Sequence, residues 1–185
     1  MGILKRIMIF CLVILIAFLA GKFIIKTYIF KAEHKSYVIS YSRENSIDPR
    51  LTLAVIKAES NFDCKAKSKS NAIGLMQMTP KTGEWVAEQM GIYDFDENML
   101  KNPETNIKFG TWYLKDLKEE FKDIDLAIAA YNAGRGNVKK WLAKDEHSMD
   151  GKTLNNIPFK ETDKYVKKVN SYYNIYKKLY DENLE

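Results

Sequence analysis

A single carboxylate, that of Glu59, is predicted to lie on the apolar face of a helix. On a wheel of about 100° per residue, with Leu51 at zero, the helix over 49–60 places Glu59 at about 80°, between Val55 and Ile56. The apolar residues within about 60° of Leu51 are Ala54, Val55, Ala58 and Phe62. Because burial raises the pKa of a carboxyl group, such a side chain can donate a proton to a leaving oxygen near neutral pH. A general acid is therefore one interpretation; a carboxylate at the surface edge where the helix ends is the other.

Two further segments place polar side chains at the ends of helices, where binding groups are often found. Residues 74–77 read Gly-Leu-Met-Gln and precede a helix start at Thr79-Pro80. Residues 129–134 read Ala-Ala-Tyr-Asn-Ala-Gly, and Gly134 is predicted to cap the helix that ends there. Each segment alone also has a structural interpretation, because Met and Tyr can belong to a core and Asn-Ala-Gly can be only a cap.

Taken together, these segments form an ordered set of motifs. They are Glu-Ser-Asn-Phe at 59–62, Gly-Leu-Met-Gln at 74–77, Asn-Pro-x-x-Asn-Ile-x-x-Gly-x-x-Tyr-Leu at 102–114, Ala-Tyr-Asn-Ala-Gly at 130–134 and Ile-Pro-Phe-Lys-Glu-Thr-x-x-Tyr-Val at 157–166. In this order and spacing they resemble the catalytic domain of the soluble lytic transglycosylases, a lysozyme-like family that cleaves bacterial peptidoglycan. The resemblance covers about residues 36–180.

The resemblance implies a reaction with one catalytic acid/base, which Glu59 matches. Glu59 would protonate the glycosidic oxygen between N-acetylmuramic acid and N-acetylglucosamine and then accept the proton of the muramoyl 6-hydroxyl. That hydroxyl attacks the anomeric carbon and leaves a 1,6-anhydro end, so the reaction needs no water, cofactor or metal. Ordinary glycosidases use two carboxylates, whereas only one stands out here on an apolar face.

The resemblance also implies a set of substrate-binding residues: Ser68, Met76, Gln77, Tyr131, Asn132, Glu161 and Tyr165. Ser68 matches a serine near the acid, and Met76 and Gln77 match a segment that lines the substrate groove. The Tyr-Asn pair matches residues that face the muramoyl N-acetyl group. Glu161 and Tyr165 match the C-terminal motif of the family, whose role is either substrate contact or structure. The chain departs from the family at Asn71, where Gly is usual, and Asn tolerates left-handed backbone angles.

Two alternatives remain open at this point. A muramidase on the same fold would use water in place of the 6-hydroxyl, and a non-catalytic scaffold would hold wall glycan without cleaving it. A buried acid favours an enzyme over the scaffold. Trp85, Trp112 and Trp141 could stack on sugar rings, although the helical spacing of Trp112 and Trp141 favours the core.

The charge distribution argues against a nucleic-acid partner. The 185 residues carry a formal net charge of +5, and residues 1–35 contain six Lys or Arg and one acid. The rest of the chain is therefore balanced, and lysine pairs such as 167–168 predict solvated helix faces. Two Cys and two His leave no plausible zinc site.

The N-terminal segment predicts attachment to a membrane. Residues 7–21 form an uninterrupted apolar run that extends to Ile25 if Lys22 is tolerated. We expect a cytoplasmic segment over 1–6, a single-pass anchor over 7–25, a stalk over 26–35 and one lysozyme-like domain over 36–185. A cleaved signal peptide is the alternative, although no good cleavage site follows the run. Both flanks are basic, so orientation rests on the implied function, which requires the domain on the cell-wall side.

The rest of the chain follows helical periods, which predicts a single, mostly α domain. The predicted helices cover 35–45, 49–60, 79–90, 103–121, 123–133, 137–144 and 160–180. Loops are predicted over 61–74, 91–102 and 145–158, and no segment alternates convincingly enough for a strand.

Overall fold

The computed structural model describes residues 2–185 and divides into two compact units, one ending at Glu33 and one spanning His34–Glu185. In the first unit, α1 (Gly2–Ile24) continues into a π-helical turn over Ile25–Ile29. No residue of α1 is buried, and the continuous helix is long and apolar enough to cross a membrane. The predicted anchor over 7–25 lies within this helix.

The second unit is helical, and its fold class is the one that the sequence predicts. Its helices are α2 (Lys35–Glu44), α3 (Pro49–Glu59), α4 (Pro80–Gln89), α5 (Pro103–Phe121), α6 (Ile124–Ala133), α7 (Arg135–Leu142) and α8 (Lys160–Leu179). Each helix end lies within two residues of the predicted one. The prediction of a loop over 91–102 is wrong at Glu97–Lys101, a short 3-10 helix that begins where the Asp96 carboxylate accepts a hydrogen bond from the Asn98 N–H (2.8 Å).

Three helices begin in the same way, with a capping side chain followed by proline. The cap accepts a hydrogen bond from a backbone N–H of the first turn, and proline at the first helical position has no N–H that would be left unpaired. The pairs are Asp48-Pro49 at α3, Thr79-Pro80 at α4 and Asn102-Pro103 at α5. The caps determine the first residue of each helix, and therefore which residues lie at the end of the helix.

The core forms where α3, α5, α6 and α8 pack together. Helix α8 lies along α3, and α6 contacts both α5 and α8. Fully buried side chains from these helices and from the loop before α4 include Leu53, Ile56, Leu75, Ile107, Leu114 and Ile128. This packing brings the C-terminal end of α3 next to α8.

The buried side chain of Asn106 in α5 holds the loop between α3 and α4 in place. Its Nδ2 donates hydrogen bonds to the carbonyl oxygens of Ile73 (2.9 Å) and Leu100 (2.8 Å), and its Oδ1 accepts one from the Met76 N–H (2.7 Å). Gly74 has φ of 78°, and a Cβ there would lie 2.5 Å from Asn106 Nδ2. Glycine at this position therefore permits the close approach of the loop to the amide.

We expect Asn106→Ala to lower the free energy of unfolding by about 2–4 kcal/mol, because three buried backbone groups lose their partner. Thermal and urea unfolding of the chain in detergent measures this change. Asn98→Ala, at an exposed position in the 3-10 helix, is the matched control and should change stability by less than about 0.5 kcal/mol. Equal stability of the two variants would contradict the role given to Asn106.

Candidate active site

The carboxyl group of Glu59 lies at the C-terminal end of α3, partly buried against α8. Its Oε1 accepts a hydrogen bond of 2.6 Å from the Tyr165 hydroxyl. Tyr165 is buried in α8, 106 residues further along the chain. The packing of α8 on α3 thus brings the two predicted site residues into direct contact.

Burial raises the pKa of Glu59 from 4.5 to about 7. Two weaker effects act in the opposite direction, because the Tyr165 hydrogen bond and the charge of Lys168 both favour the carboxylate. The Lys168 ammonium is held by a hydrogen bond to the Ala58 carbonyl oxygen (2.8 Å), one residue before Glu59. At neutral pH a substantial fraction of Glu59 therefore carries a proton.

A second phenol, that of Tyr131 in α6, completes the surroundings of Glu59. Its hydroxyl donates to the Met76 carbonyl oxygen (2.8 Å) and approaches Met78 Sδ (3.3 Å). Burial raises the pKa of Tyr131 well above 10, and the nearby Glu59 carboxylate raises it further. Burial and Glu59 have the same effect on the pKa of Tyr165. Both phenols are therefore neutral hydrogen-bond donors at physiological pH.

Asn132 and Glu161 lie on the two elements that flank this group. Asn132 Oδ1 accepts a hydrogen bond of 2.8 Å from the buried Thr162 hydroxyl, which ties the end of α6 to the first turn of α8. Glu161 is exposed and lies one turn before Tyr165 on the same face of α8. The end of α6 and the start of α8 are thus joined beside the acid.

In the loop before α4, the side chains of Ser68 and Gln77 form hydrogen bonds to backbone groups of the same loop. Ser68 is exposed, and its hydroxyl oxygen accepts from the Ala72 N–H (3.0 Å). Gln77 Nε2 donates to the carbonyl oxygens of Gly74 (2.9 Å) and Ala66 (3.2 Å). Met76 is fully buried, and its carbonyl oxygen accepts the hydrogen bond from the Tyr131 hydroxyl.

Two residues near the acid are absent from the candidate site that the sequence predicts. Thr162 belongs to the C-terminal motif, but nothing in the sequence assigns it a partner on α6. Lys168 follows Tyr165 by three residues and therefore lies on the same face of α8. This spacing is the feature of the sequence from which a position near Glu59 could have been predicted. Its neighbour Lys167 forms an ion pair with Asp163 (2.8 Å), and both lysines are exposed, as the sequence predicts.

Comparison with known proteins assigns the family. The family model described as the transglycosylase SLT domain matches residues 36–154. The chain belongs to this family. The soluble lytic murein transglycosylase of Salmonella typhimurium is 38% identical over 135 residues, which cover 71% of this chain and 21% of that protein. The chain thus spans about a fifth of the length of that relative.

A solved structure and a membrane-bound protein are also similar to this chain. A solved structure of a lytic transglycosylase from Pseudomonas aeruginosa has a TM-score of 0.70 and 29% identity, covering 84% of this chain and 26% of that one. The membrane-bound lytic murein transglycosylase C of Actinobacillus pleuropneumoniae is 35% identical over 116 residues, covering 57% of this chain and 32% of that protein. The lysozyme-like fold class is therefore confirmed. Among residues 2–185, no group of three His, Cys, Asp or Glu side chains could hold a metal ion.

We expect Lys168→Met to raise the pKa of Glu59 above about 7, by about 0.5–1 unit, because the opposing positive charge is lost. Carbon-13 NMR titration of the Glu59 carboxyl group in detergent micelles measures the shift. Lys168→Arg should restore most of the parent value. Lys167→Met, the neighbouring control, should leave it unchanged, and equal titration of Lys168→Met and the parent would contradict the electrostatic role of Lys168.

Proposed function

We propose that this chain is a membrane-anchored lytic transglycosylase that cleaves the β-1,4 bond between N-acetylmuramic acid and N-acetylglucosamine in peptidoglycan. The observation that carries the proposal is the partly buried Glu59, whose pKa of about 7 leaves it able to donate a proton near neutral pH. The printed names of the relatives, which are lytic murein transglycosylases, support the same reaction. The Pseudomonas structure is that of an inactive mutant in which glutamine replaces a glutamate, which also supports dependence on one acid.

The geometry around Glu59 suits a general acid that later acts as a base. Because Tyr165 donates to Oε1, the proton of the neutral acid resides on Oε2 and is available to a substrate oxygen. Transfer of that proton to the glycosidic oxygen releases N-acetylglucosamine as the C–O bond breaks. The oxygen of the muramoyl 6-hydroxyl then bonds to the anomeric carbon, and the Glu59 carboxylate accepts the proton of that hydroxyl. This proton transfer returns Glu59 to its neutral starting state.

Tyr165 and Lys168 both favour the carboxylate that exists between the two proton transfers. Because both stabilise the carboxylate relative to the neutral acid, they favour proton donation in the first step and make Glu59 a weaker base in the second. The two side chains that shift the pKa of Glu59 are a phenol and an ammonium group. Most glycosidases that use water have a second carboxylate at a set separation, so the chemistry of the released ends distinguishes water from the substrate's own 6-hydroxyl as nucleophile.

Six further predicted residues belong to the proposed substrate site in different ways. Tyr131 and Asn132 would face the muramoyl N-acetyl group from the end of α6. Glu161, in the first turn of α8, would lie beside the glycan strand. We assign Ser68, Met76 and Gln77, in the loop before α4, to another wall of the proposed substrate groove. Met76 contributes its backbone carbonyl oxygen, and the side chains of Ser68 and Gln77 hold the loop in shape.

Mass analysis of products released from purified peptidoglycan tests the proposed reaction. The chain should release 1,6-anhydromuramoyl ends, and Glu59→Gln should lower the rate by at least about 1000-fold, because a neutral amide transfers no proton. Glu119→Gln, an exposed glutamate on α5, is the matched control and should keep parent activity. Reducing ends heavier by one water would identify a muramidase instead, and binding without any release would identify a wall-binding scaffold.

The proposal includes an anchor over 7–25 with the SLT domain on the cell-wall side of the membrane. The apolar helix α1 and the membrane-bound relative support the anchor, and the location of peptidoglycan supports the side. We expect the chain to sediment with membranes and to resist extraction by high salt and carbonate. Protease added to spheroplasts should digest the SLT domain. Protection of the domain in intact spheroplasts would contradict the assigned side, and recovery in the soluble fraction would contradict the anchor.

A further inference from the structure

The junction between α6 and α7 consists of one residue, Gly134, which has φ of 84° and ψ of 140°. Residues with a side chain rarely adopt this φ, and glycine supplies no side chain that could cap α7. Among residues 2–185, apart from its two chain neighbours, no heavy atom lies within 4 Å of the position that a Cβ of Gly134 would occupy. Neither a side-chain cap nor side-chain packing at Gly134 therefore fixes α7 relative to α6.

The end of α6 at this junction carries a residue of the candidate site. Asn132 lies two residues before Gly134, and its Oδ1 accepts the hydrogen bond from Thr162 of α8. That bond holds the end of α6 from one side only. A movement of α7 would be transmitted to Asn132 through the backbone, unless α7 is itself held in place.

Arg135, the first residue of α7, joins this helix directly to α5. Its guanidinium forms ion pairs with Asp116 and with Glu120 (3.2 Å), which lie one turn apart on α5. The Glu120 Oε2 atom of the second pair is buried, so Arg135 rather than solvent compensates its charge. A planar guanidinium that meets two carboxylates is fixed in direction as well as in position.

The same guanidinium lies against two aromatic rings. It is 4.7 Å from the centroid of the Trp85 ring in α4 and 5.7 Å from that of the Tyr113 ring in α5. Both rings pack against the core cluster that contains Leu100 and Phe109. Because close-packed interiors resist displacement, these rings give the guanidinium a rigid support. The start of α7 is therefore held to both α4 and α5.

Tyr113 gives Arg135 a second connection to the candidate site. The Tyr113 ring lies 5.5 Å from the ring of Tyr131, the residue that precedes Asn132 in α6. Arg135 thus reaches the end of α6 through the backbone at Gly134 and through the Tyr113 ring. The charged side chain that shifts the pKa of Glu59 is Lys168, whereas the charge of Arg135 is compensated by its ion pairs on α5. The effect of Arg135 on the site is therefore geometric.

We propose that Arg135 is a positioning residue that holds Asn132 where it faces the muramoyl N-acetyl group. This inference rests on the proposed function, because it takes Asn132 to contact the substrate. Through Asn132, Arg135 determines how the muramoyl residue lies relative to Glu59. A small displacement of a reacting group slows the chemical step, whereas binding of a strand also depends on its other contacts. Loss of Arg135 therefore lowers kcat more than it raises KM.

Steady-state kinetics of 1,6-anhydro product formation from soluble glycan strands, with the full chain in detergent, test this role. Arg135→Met should lower kcat by about 10- to 100-fold and change KM by less than about threefold. In an Asn132→Ala background, the same substitution should lower kcat by less than about threefold, because the side chain that Arg135 positions is already absent. A mere loss of folded protein would lower kcat by the same factor in both backgrounds.

Lys139→Met is the matched control. Lys139 forms an ion pair with the other carboxylate oxygen of Glu120, and its side chain is 60% exposed. This variant should keep the parent kcat and KM.

Arg135→Lys provides a second test, which also applies if Arg135→Met does not fold. The lysine keeps a positive charge beside the two carboxylates but lacks the planar group that stacks on Trp85. It should lower kcat by about three- to tenfold in the parent and leave kcat unchanged in the Asn132→Ala background.

Parent kcat for both Arg135 variants, or an equal loss in the two backgrounds, would overturn the positioning role. Failure of the proposed function has a different signature, which is the lack of 1,6-anhydro products from the chain with Arg135 and Glu59 intact.

Discussion

The buried amide of Asn106 is the interaction on which the candidate active site depends most. Its three hydrogen bonds tie the loop before α4 to α5 and fix the backbone at Met76. The Met76 carbonyl oxygen then accepts the hydroxyl of Tyr131, and α6 continues into Asn132, which is joined to α8 through Thr162. One satisfied polar group in the core thus connects the loop and three helices around Glu59, so losing it would affect more than local stability.

Around Glu59 itself, the fold balances burial against stabilisation of charge. Burial alone would hold the acid neutral, and a neutral acid that never ionises could not accept a proton in the second step. The Tyr165 hydroxyl and the Lys168 ammonium limit the shift and leave the pKa at about 7. Such a value lies close to the pH at which a single group can act both as acid and as base. The same residue can therefore serve both halves of the proposed reaction.

Local signals in the sequence predict most of the helices and the face on which Glu59 lies. The caps at Asp48, Thr79 and Asn102 are such signals, because each acts within one helical turn. The contact between Tyr165 and Glu59 could be anticipated only through the family resemblance, since the residues are 106 positions apart. The sequence leaves open whether Met76 belongs to the core, and it does not predict the bond from Lys168 to the Ala58 carbonyl, because both depend on how the helices pack.

In the proposed reaction, one carboxyl group that is protonated near neutral pH drives cleavage of the glycosidic bond. The pH dependence of the rate of 1,6-anhydro product formation measures whether Glu59 has this role. Because the first step needs the neutral acid, the rate should be highest below about pH 7 and fall about tenfold per pH unit well above it. A rate that stays constant from about pH 6 to about pH 9 would contradict the assignment of Glu59 as the general acid.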